Sequence, residues 1–194
     1  MTDLPLTREE ALQLIHEYNK DEKDLIHYLE SEAIMGALAS KLGEDVDYWR
    51  MLALLHDIDW GITKDNLGKH LTKMPGILKK AGFDDDFINA VLSHGYGHGI
   101  AGLLDKKRTK KIEHALACAE TVTGLIHAYA LVREGKISDM KAKGLKKRFK
   151  EKKFAAKVDR EIIKECEHLG LTLEEFFGLA IEAVAGIKEE VGLK

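Results

Sequence analysis

Cysteine and proline are scarce in this chain. Among its 194 residues the only cysteines are Cys118 and Cys166, and the only prolines are Pro5 and Pro75. Two isolated cysteines without a Cys-x-x-Cys pairing exclude a disulfide framework and a thiolate zinc cage, and they fit a reducing compartment. No apolar run approaches the ~20 residues of a membrane-spanning helix. The opening residues, Met1 to Pro5, are acidic and lack a basic segment followed by an apolar one, so a cytoplasmic protein is expected. Strand-like alternation and Asn-Gly or Asp-Gly hairpin turns are missing as well.

What is present suits a single domain spanning 1–194, with a core over about 22–135 and a C-terminal helical extension over about 136–194. Hydrophobic residues make up 45% of the chain and the net charge is −3. That charge is uneven. Between Lys141 and Arg160 eight lysines and two arginines face only Glu151 and Asp159, a local balance of +8 that leaves −11 elsewhere. Such a segment reads first as a solvated helical face, and it would also suit phosphates or nucleic acid.

Helical punctuation recurs along the whole sequence. Thr7 with Glu10 and Thr172 with Glu175 have capping-box spacing. Asp21 opens a long apolar-periodic stretch that ends near Gly43. Asp45 starts a helix running into His56-Asp57, and the pattern weakens over 61–74. Pro75 begins a helix ending at Gly82, and Asp84 begins another that Gly95 stops. Gly95 to Arg108 reads as a loop, Thr109 starts the longest helix, and two more run over about 157–169 and 173–190. An all-α bundle of about eight or nine helices is expected.

The apolar run Met51 to Leu55 closes on His56-Asp57, which places an imidazole and a carboxylate at the end of a buried helix. Buried charge of this kind needs a partner, and a metal ion is one. His27, His70, His94 and Glu120 lie at wide spacing on other helices or helix ends, which is how helix packing builds a metal site. Four imidazoles and two carboxylates favour iron or manganese, with zinc, cobalt or nickel also suited, and not calcium. Six protein ligands exceed the need of one catalytic ion that also binds water. Two ions bridged by Asp57 and a hydroxide account for the count and supply a nucleophile for attack on phosphorus.

His27, His56-Asp57 and a later acidic residue resemble the HD superfamily of metal-dependent phosphohydrolases, in particular a subgroup of HD-domain hydrolases of bacteria and archaea. The likeness runs from about residue 22 to 185 and includes Glu32-Ala33-Ile34-Met35, Leu54 to Asp59, Val122 to Ile126 and Phe154-Ala155-Ala156. It implies an all-α core around a mono- or dinuclear centre and hydrolysis of phosphate esters. His70 and His94 match the subset that holds a second ion. The resemblance places Asp at the final ligand position, where this chain has Glu120.

The expected activity is therefore hydrolysis of a small phosphorylated compound, such as a nucleotide, by metal-activated hydroxide. Asp57 bridges the ions, and Asp59 acts as a general base or orients water. Lys69, Lys146 and Arg160 clamp phosphate, and His98 contacts substrate. Two rival readings use the same residues. One is oxygen activation by a di-iron pair, as in proteins of this fold similar to myo-inositol oxygenase. The other is a non-catalytic nucleotide- or RNA-binding protein whose 141–160 segment makes the contact.

Overall fold

Helix boundaries follow the caps. A computed structural model of the chain describes residues 3–194, and among them there are ten α-helices and no strand. In the first, α1 (Arg8–Tyr18), the Thr7 hydroxyl accepts from the Glu10 amide while the Glu10 carboxylate accepts from the Thr7 amide. Asp21 caps α2 (Glu22–Leu42), and Gly43 ends it in the left-handed region at φ 71°, where a side chain would be strained. Asp45 caps α3 (Val46–Leu54) by accepting from the Tyr48 amide.

The weakly patterned stretch after α3 contains a short α4 (Trp60–Thr63) and a 3-10 turn, Leu67–Lys69. Then come α5 (Met74–Lys80) and α6 (Asp85–Leu92), which runs into a 3-10 turn at Ser93–Gly95. The helix expected to be the longest, α7 (Lys111–Leu131), is 21 residues long, equal in length to α2. The basic stretch is itself partly helical, as α8 (Ala142–Lys150), with Leu145 and Phe149 buried one turn apart beneath a lysine face. The helix expected over 157–169 divides into α9 (Arg160–Ile163) and a 3-10 segment, Lys164–Leu169. Three-residue winding stacks every third side chain, and Ile163, Cys166 and Leu169 are all buried. The last helix, α10 (Leu173–Gly186), carries the second capping box.

Packing centres on α2, which lies against α3, α7 and α10. Tyr28, Ile34, Met35 and Leu38 of α2 join Leu116, Val122, Leu125 and Ile126 of α7 and Phe176, Phe177 and Val184 of α10 in one hydrophobic cluster. Each such side chain contributes about 1.5–3 kcal/mol when fully removed from water. The buried Glu32 carboxylate locks three helices, accepting from Arg8 of α1 and Arg50 of α3 at 2.7 Å each. Close to the His-Asp turn, Gly61 allows α4 to touch the end of α1. A Cβ there would lie 2.4 Å from the Tyr18 carbonyl and 2.6 Å from Asn19 Cα.

Candidate metal centre

Packing α3 and α7 onto α2, and α6 against α3 and α7, brings four imidazoles around one carboxylate. His27 comes from α2, His56 and Asp57 from the turn after α3, His70 from the end of the 3-10 turn before α5, and His94 from the turn after α6. Asp57 Oδ2 lies 3.6 Å from His56 Nε2 and 3.8 Å from His27 Nε2. Its Oδ1 lies 3.2 Å from both His70 Nε2 and His94 Nε2. Two three-residue groups result, His27-His56-Asp57 and Asp57-His70-His94, with Asp57 common to both.

The backbone fixes the rings from behind. His56 Nδ1 lies 2.6 Å from the Ala53 carbonyl and His94 Nδ1 2.7 Å from the Val91 carbonyl, each three residues back. Both carbonyls lie at a helix end, and each accepts the imidazole N–H. His70 Nδ1 donates to Asp59 Oδ1 at 3.1 Å. His27 Nδ1 lies 2.9 Å from Thr123 Oγ1, whose own hydrogen goes to the Glu120 carbonyl, so the ring is the donor. All four rings therefore hold a proton on Nδ1 and turn Nε2 toward Asp57, the arrangement that orients imidazole ligands. The Tyr28 hydroxyl, itself accepting from Asn19, donates to the Asp57 carbonyl at 3.1 Å.

This arrangement fits a cation. His94 Nε2 is buried without a hydrogen bond, although Asp57 Oδ1 is 3.2 Å away. His27 Nε2 and His56 Nε2 face each other at 3.1 Å. Two imidazole nitrogens, each about 2.1 Å from one ion and at right angles, are about 3 Å apart. Burial pushes His56 down to about 3, with His27 and His94 adding to it against the pull of Asp57, so its ring is neutral. Burial works against ionisation of Asp57, but His56, His70 and His94 outweigh it and hold the carboxyl well below the usual range. Burial opposes protonation of His70, while hydrogen bonds to Asp57 and Asp59 raise it to about 9. Without metal that ring keeps a second proton, which an ion must displace.

The other expected site residues separate. Asp59 is fully buried, and beyond His70 its oxygens accept from the amides of Leu71, Lys73 and Met74 at 2.9–3.2 Å. The residue expected to act as a general base or to orient water thus uses these acceptor positions to hold His70 and the strained Leu71, at φ 65°, in place. Glu120 is half-buried, and its carboxylate joins neither ligand group. It accepts from Thr121 Oγ1 at 2.5 Å. Burial raises its pKa, with His27 and His94 close enough to oppose the shift.

Arg160, expected as a phosphate clamp, is engaged with the main chain. Its guanidinium donates to the carbonyls of Phe149, Phe154, Ala155 and Val158, so it ties down the segment before α9. Lys146 pairs with Glu174 at 3.0 Å beside other lysines of α8, in a cleft that contains no metal-site residue. Lys69 is exposed and directly precedes His70. His98 lines a cavity separate from the ligand groups, with Tyr96, Lys106 and Arg108. A second cavity, of about 480 Å³, opens at His27 between Lys23, Ile26, Glu30, Thr123 and His127. Sequence reasoning did not identify Thr123 as the support of His27, and only its place in the Val122 to Ile126 motif signalled it.

The HD domain family profile matches residues 24–185. Over 100 residues, 52% of this chain and 17% of the relative, the chain is 31% identical to Ribonuclease Y 2 of Levilactobacillus brevis. Over 99 residues it is 31% identical to Ribonuclease Y of Mycoplasma mycoides, covering 51% of this chain and 22% of that protein. Over 70 residues it is 39% identical to Ribonuclease Y of Fervidobacterium nodosum, covering 36% and 14%. The chain thus spans about a fifth of the length of the curated relatives it matches. No solved structure matches it significantly. No described helix is long and apolar enough to cross a membrane.

Proposed function

The chain belongs to the HD domain family of metal-dependent phosphohydrolases, and from that premise we propose that it cleaves a phosphate ester at a dinuclear centre. The observation that carries this reading is the Asp57 carboxylate, whose two oxygens face separate pairs of imidazole nitrogens. His27 and His56 would hold one ion, His70 and His94 the other, with Asp57 between them. Iron or manganese suits that mixed nitrogen and oxygen set. When bound, such ions supply charge against the phosphoryl oxygens and lower the pKa of water.

The protein's own part is to hold this arrangement. The Ala53 and Val91 carbonyls, Asp59 and Thr123 fix the four rings, so little reorganisation accompanies reaction. Tyr28 holds the Asp57 backbone. Glu120 is the remaining carboxylate near the rings, and it would complete the shell of the first ion only by moving its oxygens toward His27, since they lie outside both ligand groups. Substrate enters beside the half-exposed His27, with Lys23 at the cavity's rim, and exposed Lys69 is the cation nearest His70 in the chain. A nucleotide or another small phosphorylated compound is the substrate class. The relatives' name, Ribonuclease Y, makes an RNA strand the first extension of that class to test.

Metal analysis of protein purified without chelator, followed by titration with iron and manganese, tests the proposal together with turnover of a generic phosphodiester. Two ions per chain and chelator-sensitive phosphate-ester cleavage are expected. At most one ion after titration would remove the dinuclear arrangement. Oxygen uptake without cleavage would overturn the hydrolytic reading.

A further inference from the structure

The cavity of about 350 Å³ that contains His98 is lined by no residue of the metal centre, and Arg108 and the chain after His94 connect the two. Part of its wall is Tyr96-Gly97-His98, which begins two residues after His94. Arg108 joins the two places. Its Nη1 donates to the Tyr96 carbonyl at 2.8 Å, and its Nη2 reaches the carbonyl of His94 at 3.5 Å.

We propose that this cavity is an anion subsite that takes a phosphate group of the substrate other than the one attacked. The inference deepens the hydrolase reading and rests on it. Lys106 and Lys107 supply two unpaired cations and Arg108 a third that pairs with Glu165, and the other carboxylate in the lining is Asp159. Those carboxylates are already engaged. Asp159 caps α9 through the Glu161 and Ile162 amides. Glu165 Oε2 receives His114 Nδ1 at 2.8 Å and lies 3.3 Å from Arg108 Nε. Lys106 and Lys107 form no ion pair among the described residues, and the Arg108 side chain is only 7% exposed with Nε making no hydrogen bond.

Space and shape agree with that charge. Pockets for small molecules run from roughly 300 Å³ upward, so the volume exceeds the need of a bare ion. Gly97, which lines the cavity, has open space where a side chain would stand. No three metal-ligating groups converge here, which sets the cavity apart from the Asp57 cluster. A phosphate matches unpaired lysines beside a buried guanidinium, whether it is the next link of a strand or the terminal phosphate of a nucleotide.

The test compares wild type with the double variant Lys106→Ala/Lys107→Ala, both positions being exposed. Its first readout is the ratio of kcat/KM for a 5′-phosphorylated trinucleotide to that for bis(p-nitrophenyl) phosphate, which has no second phosphate. At least a tenfold fall in this ratio is expected, and a ratio within twofold of wild type overturns the subsite. The second readout is anisotropy of a labelled trinucleotide with the metal-loaded proteins. A roughly tenfold weaker Kd and a salt slope smaller by about one unit are expected. Equal binding overturns the subsite even where wild type cleaves neither substrate, a result that would separately sink the hydrolase reading. Competition identifies the source of the phosphate. Displacement by a mononucleotide 5′-phosphate indicates a terminal group, displacement only by a longer strand indicates an internal link, and displacement by neither overturns the proposal.

Discussion

The turn after α3 and the basic stretch from Lys141 to Arg160 are both dense in ionisable groups, and they use them in opposite ways. Around Asp57, each imbedded ring has one nitrogen fixed by a neighbour and the other aimed at a shared carboxylate. Along 141–160 the charges point outward or close on the chain itself. Lys146 pairs with an exposed glutamate, Arg148 lies over the Tyr129 and Phe154 rings, and Arg160 binds four main-chain carbonyls. A few buried, oriented groups make a reactive site, whereas many exposed charges make a soluble surface. The difference lies in desolvation and fixed geometry, because exposed pairs are screened and individually weak.

The largest effect expected from breaking this contrast is at its centre. Asp57→Ala should reduce phosphate-ester cleavage at least about a thousandfold, roughly 4 kcal/mol of barrier, and lower metal content below that of wild type. It removes the carboxylate common to both ligand groups. Elemental analysis beside steady-state kinetics reads both, and an Asp57→Ala protein with full turnover and unchanged metal would falsify the assignment of the centre.

Next in size is the support behind the ring of His70. Asp59→Ala leaves three backbone amides and an imidazole N–H without their buried acceptor. The expected cost is about 3 kcal/mol of stability, with about 10–100-fold weaker metal binding on the His70 side. Thermal melting and metal titration measure the two. An Asp59→Ala protein with unaltered melting and metal binding but no turnover would restore Asp59 as a general base.

How much of this was legible depends on what each residue touches. His27, His56-Asp57, His70 and His94 were readable because polar groups at the ends of apolar helices are costly unless something pairs with them. The all-α bundle followed from caps and periodicity. The fates of Asp59 and Arg160 were hidden, because their partners are main-chain amides and carbonyls with no residue-type signature. Glu120 resembled a ligand by position, but its carboxylate accepts from its own neighbour, Thr121. The division of 157–169 into α9 and a 3-10 segment was also hidden, since a spacing of three serves a core line as well as a helix face.

A smaller effect sharpens the comparison at an intermediate point, where a histidine pairs with a buried acid outside the ligand groups. His127 Nδ1 lies 2.8 Å from Glu30 Oε1, and this bond raises the His127 pKa against the effect of burial. A raised histidine pKa contributes stability that is complete below the unfolded value near 6.5 and is lost as pH rises through the folded value. His127→Gln should therefore cost about 2 kcal/mol below pH 6, and the difference from wild type should shrink as pH rises. Urea unfolding of the metal-free proteins across that range reads the trend. A gap that widens with pH would mean that His127 stabilises as a neutral ring.

The smallest effect is expected at Lys146. If α8 presents a solvated face, Lys146→Ala removes one surface pair with Glu174, at 3.0 Å, and leaves Leu145 and Phe149 buried beneath it. Such a pair contributes about 0.2–1 kcal/mol at most. Stability should shift by no more than that, and kcat/KM for a charged phosphodiester should stay within about twofold at every salt concentration. A fall of tenfold at low salt that disappears at high salt would instead place substrate phosphate on α8, because screening removes a long-range attraction between exposed charges. The same salt series on Lys106→Ala/Lys107→Ala supplies the reference. Those lysines border a cavity whose wall begins two residues after His94, whereas Lys146 shares its cleft only with α8 lysines and Glu174. A salt-dependent loss at 106–107 without one at 146 would mean that nearness to the centre, and not local charge density, decides which cations act on substrate.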